Sequence, residues 1–384
     1  MNSEAIIEKA VVALVIGTRP EAIKMAPVRL ALKLVPTLTT VLISTGQHRT
    51  MVTQILDAFD MVLDRDLGLG TPGQTLNEIA SRALAAIDAE FAKVKPDLVL
   101  TQGDTTTAFA ATLAAFHRNI PVGHVEAGLR TGNLRSPFPE EANRVLISRL
   151  ASLHFCPTAD CRTTLLGEGV ADATIFVTGN PVIDAVRLIG SKLDAAPVAV
   201  PGLADDVLAG GKPLVLITAH RRENFGSGFE NICNAVIDSA ERRPAVNFVY
   251  PVHLNPNVRE PVERLLASRR LSNVHLIEPL GYLEFQTLFR RAAFVLSDSG
   301  GVQEEATAHG KIVLLMRDTT ERPEAVASGH VRLVGLGRDG IVAAVAALLD
   351  NPAGPTSGAN PYGDGRAGEA IAAIVSQHLK RQAI

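Results

Sequence analysis

The 384-residue chain has no tryptophan, three tyrosines and only three cysteines. Cys156, Cys161 and Cys233 are too few for a disulfide framework and show no zinc-type spacing, so no metal site is expected from them. Charge of one sign is lacking as well. The 37 Lys and Arg residues stand against 40 Asp and Glu, a formal net charge of −3, which gives no electrostatic case for nucleic acid or an anionic membrane as partner. The longest apolar runs, such as Val11–Ile16, fall far short of the roughly 18 residues needed to span a bilayer. Glu4 and Glu8 stand where a signal peptide would need an apolar stretch, so the expectation is a soluble, cytoplasmic protein. What the chain does have is 47% hydrophobic residues and a length suited to two or three domains, each able to bury its own core.

Short apolar runs at Val11–Ile16, Thr40–Ser44, Asp97–Thr101, Val122–Val125 and Leu153–Cys156 read as strands. Helical periods lie between them near 21–34, 48–59, 75–93, 105–117 and 139–150. The runs are continuous and do not alternate, as strands buried on both faces of a parallel sheet should be. The second half repeats the scheme with Leu214–Thr218, Val246–Pro251, Val274–Ile277, Phe294–Ser297 and Ile312–Met316, and helices near 228–241, 257–268, 283–291 and 301–309. The stretch 191–212 has the Ala, Pro and Gly content of a surface connection, which puts the domain change near 180–212. The fold class is therefore α/β, with two Rossmann-like domains, and ligands are expected at the carboxyl ends of the strands.

Those ends carry the chemistry. The first strand runs into Gly17-Thr18-Arg19-Pro20-Glu21 with Lys24 beyond, either an anion site at a helix N-terminus or a helix start with a solvated basic pair. Gly68-Leu69-Gly70-Thr71-Pro72-Gly73 has the spacing of a dinucleotide fingerprint, but no strand is expected before it, so it reads as a glycine-rich loop. Asp104, followed by three threonines, is either a helix cap or a functional acid. Glu126 and Glu140 follow at the next two strand-to-helix edges, and carboxylates gathered in a cleft can move protons at an unactivated carbon. In the second half, His220 with Arg221 and Arg222 suggests an anion site. Ser299-Gly300-Gly301 offers backbone N–H groups at a helix start, the arrangement that cradles phosphate, and Glu305 one turn on is placed to accept both hydroxyls of a ribose.

Together GTRPEAIKMAP (17–27), GDTTT (103–107), GHVEAGLRTGN (123–133), SPFPEEANR (136–144), AHRREN (219–224), YPVHLNPNVREP (250–261), DSGGVQEEA (298–306), RDTTERPEAV (317–326) and NPYGDG (360–365) resemble the non-hydrolysing UDP-N-acetylglucosamine 2-epimerases, from about residue 11 to the end. The resemblance implies a GT-B-like fold with parallel sheets and an interdomain active-site cleft. One domain would be 1–180 plus a returning C-terminal helix at 366–384, carrying the acids; the other, 181–365, would bind UDP. It implies reversible epimerisation at carbon 2 without NAD or another cofactor, by elimination and re-addition of UDP. It implies a homodimer that supplies cell-surface polysaccharide synthesis. Asp104, Glu126, Glu140 and His220 match positions given catalytic roles. Arg19, Lys24, His220, Phe285, Ser299, Gly300, Gly301, Glu305 and Arg322 match UDP-sugar-binding positions. Gln47 and His253 match a regulatory UDP-sugar site of some relatives, whereas Thr50 and Gly73 stand where those relatives carry a glutamine and an arginine, and Leu280 replaces a glutamine. A glycosyltransferase would keep the phosphate cradle but not need three acids in the first half. A nucleotide-sugar sensor would need none of them.

Overall fold

A computed structural model describes residues 9–71, 73–352 and 360–382; Glu4, Glu8, Pro72 and the middle of the loop 351–365, residues 353–359, fall outside. The chain divides into two compact units, 1–188 with 362–384, and 189–361. No helix among the described residues is long and apolar enough to cross a membrane.

The first unit is built on a seven-stranded parallel sheet in the order β3-β2-β1-β4-β5-β6-β7. Its strands are β1 (Ala10–Ile16), β2 (Leu38–Ser44), β3 (Arg65–Asp66), β4 (Leu98–Gln102), β5 (Val122–Val125), β6 (Leu153–Cys156) and β7 (Ile175–Val177). Ala13, Val15, Ile43 and Val99 pack with Ile87 and Phe91 from the helix Leu76–Val94 to form a dry layer. The C-terminal helix Ala367–Gln382 belongs to this unit and lies against the helix Arg19–Lys33. That approach is close enough to require glycine: a Cβ on Gly368 would come within 2.8 Å of the Pro27 carbonyl oxygen. Asp184 closes the contact by accepting from the Ala367 and Gly368 N–H groups at 3.1 and 2.8 Å.

The second unit carries a six-stranded parallel sheet, order β10-β9-β8-β11-β12-β13. The strands are β8 (Leu214–Thr218), β9 (Asn247–Pro251), β10 (Val274–Ile277), β11 (Phe294–Ser297), β12 (Val313–Leu315) and β13 (Val331–Leu333). Both sheets follow the doubly wound order in which the chain reverses direction between two adjacent strands. Those switch points are β1/β4 and β8/β11, and ligands of such sheets bind at the carboxyl ends there.

Three expectations need correction. Residues 191–212 are no loose linker: the helix Pro181–Ala195 runs into them, Asp205–Ala209 is helical, and Val200, Leu203 and Val207 are buried. The apolar residues among the Pro and Gly fasten the segment down, and the units divide inside a helix, at 188/189, within the range 180–212 and eight residues beyond the bound at 180. The single helix expected at 257–268 changes pitch twice, from Pro256–Pro261 through a wider turn at Val262–Leu266 to a 3₁₀ turn at Ala267–Arg269, with Pro261 at the first change. A short strand, β3, does precede the glycine-rich loop at 68–73, but the next helix opens only at Leu76, behind the Thr75 cap, and not inside the loop.

Candidate active site

In the first unit the chain leaves β1 at Gly17, where a Cβ would lie 2.6 Å from both the Thr45 and Thr107 hydroxyl oxygens; only glycine fits. Glu21, fully buried, then gathers the turn. Its Oε2 accepts from the Gly17 and Thr18 N–H groups at 2.8 and 2.7 Å and from the Thr18 hydroxyl at 2.9 Å. Its Oε1 accepts from the Thr105 hydroxyl at 2.6 Å, so one carboxylate links the loop after β1 to the loop after β4. Burial raises the pKa of Glu21. Nothing local in the sequence marks Glu21 for this role.

Half-buried Arg19 opens the helix, and Lys24 one turn on is buried and donates to Glu126 Oε1. Gln102 donates to Glu126 Oε2, and Asn180 donates to Oε1 at 3.1 Å. Three donors thus fix this carboxylate just past β5. Its backbone has φ +66°, a left-handed conformation that a non-glycine residue holds at a cost and that is concentrated at functional sites. Asp104, after β4, is half-buried; its Oδ2 accepts from Arg144 Nη2 at 2.5 Å and its carbonyl from Asn143 at 2.8 Å. Arg144 also donates to Glu141 Oε2 at 3.0 Å, while Glu141 Oε1 accepts from the Thr131 and Gly132 N–H groups at 2.9 Å. Glu140, half-buried, is the first residue of the helix Glu140–Leu150; its neighbour Glu141 is the acid that supports Arg144. Gln102, Asn180 and Arg144 were not singled out in the sequence, because nothing local marks a side chain that acts across 24 to 54 residues.

Gln47 accepts from the Thr107 hydroxyl at 3.1 Å and borders a surface pocket of about 410 Å³ with His48, Thr71, Gly73 and Gln74. His253, expected with it in a regulatory site, belongs to the other unit. There it stacks on His220, ring centroids 5.4 Å apart.

At the β8/β11 switch point of the second unit, fully buried Asp298 organises the loop after β8. It accepts from the His220 and Arg221 N–H groups at 3.0 and 2.9 Å and from the Asn224 amide at 2.9 Å, and the His220 Nδ1 lies 3.9 Å from its Oδ1. Ser299 is the N-cap of the helix Gly300–Ala308. A Cβ on Gly300 would meet Arg322 Nη1 at 2.9 Å and Arg221 Nη2 at 3.1 Å, whereas one on Gly301 would meet nothing within 4 Å. Two guanidiniums therefore converge on a helix N-terminus, whose free N–H groups and dipole already favour an anion. Arg322 is braced by Glu304 at 2.6 Å and Glu321 at 2.5 Å. Burial alone would raise the pKa of Glu321, but the Arg322, Arg317 and Arg221 guanidiniums outweigh it and pull that carboxyl down to about 2. Glu305 is buried one turn into the helix and accepts from Gln286, and Phe285 stacks on Phe289 at 5.7 Å. Leu280 is half-buried and offers no side-chain hydrogen bond. No group of three His, Cys, Asp or Glu side chains among the described residues could hold a metal ion.

Two doubly wound sheets, one with carboxylates at its switch point and one with an arginine-flanked helix start, define a GT-B-like α/β protein. A solved glycotransferase of kitacinnamycin shares this fold over 98% of the chain and 99% of its own, with a TM-score of 0.62 at 12% identity, a likeness of fold alone. The family model for UDP-N-acetylglucosamine 2-epimerase matches residues 6–376, and the chain belongs to that family. It is 52% identical over 358 residues to the UDP-N-acetylglucosamine 2-epimerase of Escherichia coli strain K12, covering 92% of this chain and 95% of that one. The crystal structure of the Neisseria meningitidis UDP-GlcNAc 2-epimerase bound to UDP-GlcNAc superposes with a TM-score of 0.89 at 47% identity, over 96% of this chain and 100% of that one.

Proposed function

We propose that this protein interconverts UDP-N-acetylglucosamine and UDP-N-acetylmannosamine by cofactor-free epimerisation at carbon 2. The observation that carries the reading is the pair of switch points: an anion cradle of Gly300, Arg221 and Arg322 in one unit, and a carboxylate, Glu126, held by Lys24, Gln102 and Asn180 in the other. The UDP-GlcNAc-bound relative supports the substrate class. Ser299, Gly300, Gly301, Arg322, Arg19 and Lys24 take the diphosphate end, Phe285 the base and Glu305 the ribose. Asp104, Glu126, Glu140 and His220 supply the acid and base groups.

The proton at carbon 2 of a pyranose is not next to a carbonyl, so it cannot be removed to a stabilised enolate. Inversion becomes feasible when the bond from carbon 1 to UDP breaks as a carboxylate takes that proton, leaving a carbon 1–carbon 2 double bond. The electron pair of the broken bond leaves with UDP, whose added charge the guanidiniums and helix N-terminus stabilise. Return of UDP to carbon 1 and of a proton to the opposite face of carbon 2 completes the cycle. A positioned acid or base contributes about 10²–10⁴-fold to such a step. The family resemblance supports a cytoplasmic homodimer that supplies polysaccharide synthesis. The reaction is tested by incubating the protein with UDP-N-acetylglucosamine in D₂O and following carbon 2 by NMR. Deuterium should enter at carbon 2 of both sugars; inversion with retention of the original hydrogen would rule the elimination route out.

A further inference from the structure

Behind Glu305 lies a chain of groups with no part in the reaction as described. Gln286, 1% exposed on the helix Tyr282–Arg291, donates its side-chain amide to Glu305 Oε2. Its Oε1 lies 2.7 Å from His309 Nε2. His309 caps the same helix that carries Glu305, one turn on, and its backbone N–H donates to the Glu305 carbonyl at 3.2 Å. Its ring packs edge-on against Phe289 with centroids 4.9 Å apart, and Phe289 stacks on Phe285.

The protons in this chain have one consistent arrangement. A carboxylate only accepts, so the Gln286 amide nitrogen must face Glu305; the amide oxygen then faces His309, whose Nε2 must carry a proton. Burial pushes the His309 ring down to about 3, so it remains a neutral donor at working pH. One oxygen of the Glu305 carboxylate, Oε2, is thereby held by the amide.

We infer that Gln286, oriented by His309, is the positioning residue that aims Glu305 at the two ribose hydroxyls of the UDP moiety. The inference rests on the reading of Glu305 as the ribose acceptor. The amide fixes the angle of the carboxylate at Oε2, and a bidentate contact to vicinal hydroxyls is the interaction most sensitive to that angle. The aromatic ladder through Phe289 to Phe285 places the base platform and the ribose acceptor on one support.

The test is calorimetric titration of the full chain with UDP and with 2′,3′-dideoxy-UDP, for the unaltered protein and for Gln286→Leu. The unaltered protein should prefer UDP. Gln286→Leu should weaken UDP about tenfold, the scale of one hydrogen bond to a charged group, while dideoxy-UDP binding changes little. That second titration also shows that the variant is folded, since it reads the diphosphate site. If Gln286→Leu does not fold, His309→Phe removes the donor but keeps the edge contact, and should narrow the preference about threefold, as loss of a neutral hydrogen bond does. A variant with the full preference for UDP overturns the inference alone. An unaltered protein that does not distinguish the two ligands overturns the ribose role of Glu305, and the inference with it.

Discussion

The rings of His220 and His253 stack with their centroids 5.4 Å apart and their planes 17° from parallel. The Asn255 N–H donates to His253 Nδ1 at 3.1 Å, which fixes the His253 ring in its plane. His220 instead faces a buried carboxylate, Asp298, at 3.9 Å. The flat neighbouring ring restrains the His220 ring from one face.

Replacing His253 separates these effects. His253→Phe should keep turnover within about threefold, because ring stacking is retained, while His253→Ala should lower kcat about three- to tenfold with KM little changed, the scale of one aromatic pair. Steady-state kinetics on both variants check this. Equal losses in the two would assign the effect to the imidazole nitrogens and not to the stack.

Glu126 and Glu305 should answer to different measurements. Glu126→Gln removes the acid held by Lys24, Gln102 and Asn180 and should lower kcat about 10²–10⁴-fold. Glu305→Ala and Arg322→Ala should instead weaken UDP binding, read by calorimetry. Glu126→Gln also leaves the buried Lys24 without its carboxylate, so a lower melting temperature should accompany the lost turnover. Equal loss of UDP affinity in all three variants would contradict this division.

The glycine pair at 300 and 301 offers a cleaner geometric test. Gly300→Ala puts a methyl group 2.9 Å from Arg322 Nη1 and 3.1 Å from Arg221 Nη2, so both guanidiniums must move off the helix N-terminus. UDP affinity should fall about tenfold, as when one charge-assisted contact is lost. Gly301→Ala meets no protein atom within 4 Å, so it should leave the melting temperature unchanged, and any loss of UDP affinity there reports the ligand itself.

The strands that position these residues were legible because a strand buried on both faces is a continuous apolar run. Val122–Val125, Leu153–Cys156, Leu214–Thr218, Val274–Ile277 and Phe294–Ser297 were placed at their observed bounds. The edge strands β3, β7 and β13 were missed, since two or three residues carry no period. In the segment 191–212 composition misled: its Ala, Pro and Gly masked the burial of Val200, Leu203 and Val207. The proposed site residues were read from strand ends and motifs, but the side chains that hold them were not. Asp298 reaches its loop across 78 residues and Gln286 reaches Glu305 from a neighbouring helix, contacts that exist only once the strand order is fixed.

Acid should destabilise the protein through its buried histidines. His124 is wholly buried beside Asp104's loop, with Nε2 2.8 Å from the Gly103 carbonyl oxygen, and burial pushes its pKa to about 3. An unfolded histidine titrates near 6.5. Between those values the unfolded chain binds a proton that the folded protein refuses, so stability falls as pH drops from about 6.5, by roughly 1.4 kcal/mol per pH unit for each such group. His309, also held at about 3, acts in the same sense. Glu321, pulled down to about 2, adds to the loss only below the ordinary glutamate range near 4.5. Glu21, raised by burial, works the other way and loses stability as pH rises. A difference measurement isolates His124. Urea unfolding of the unaltered protein and of His124→Gln at pH 6 and pH 5 should show the gap between them shrink by about 1 kcal/mol over that step. Parallel stability curves would mean that His124 takes up its proton in the folded state, and that the ring is open to water.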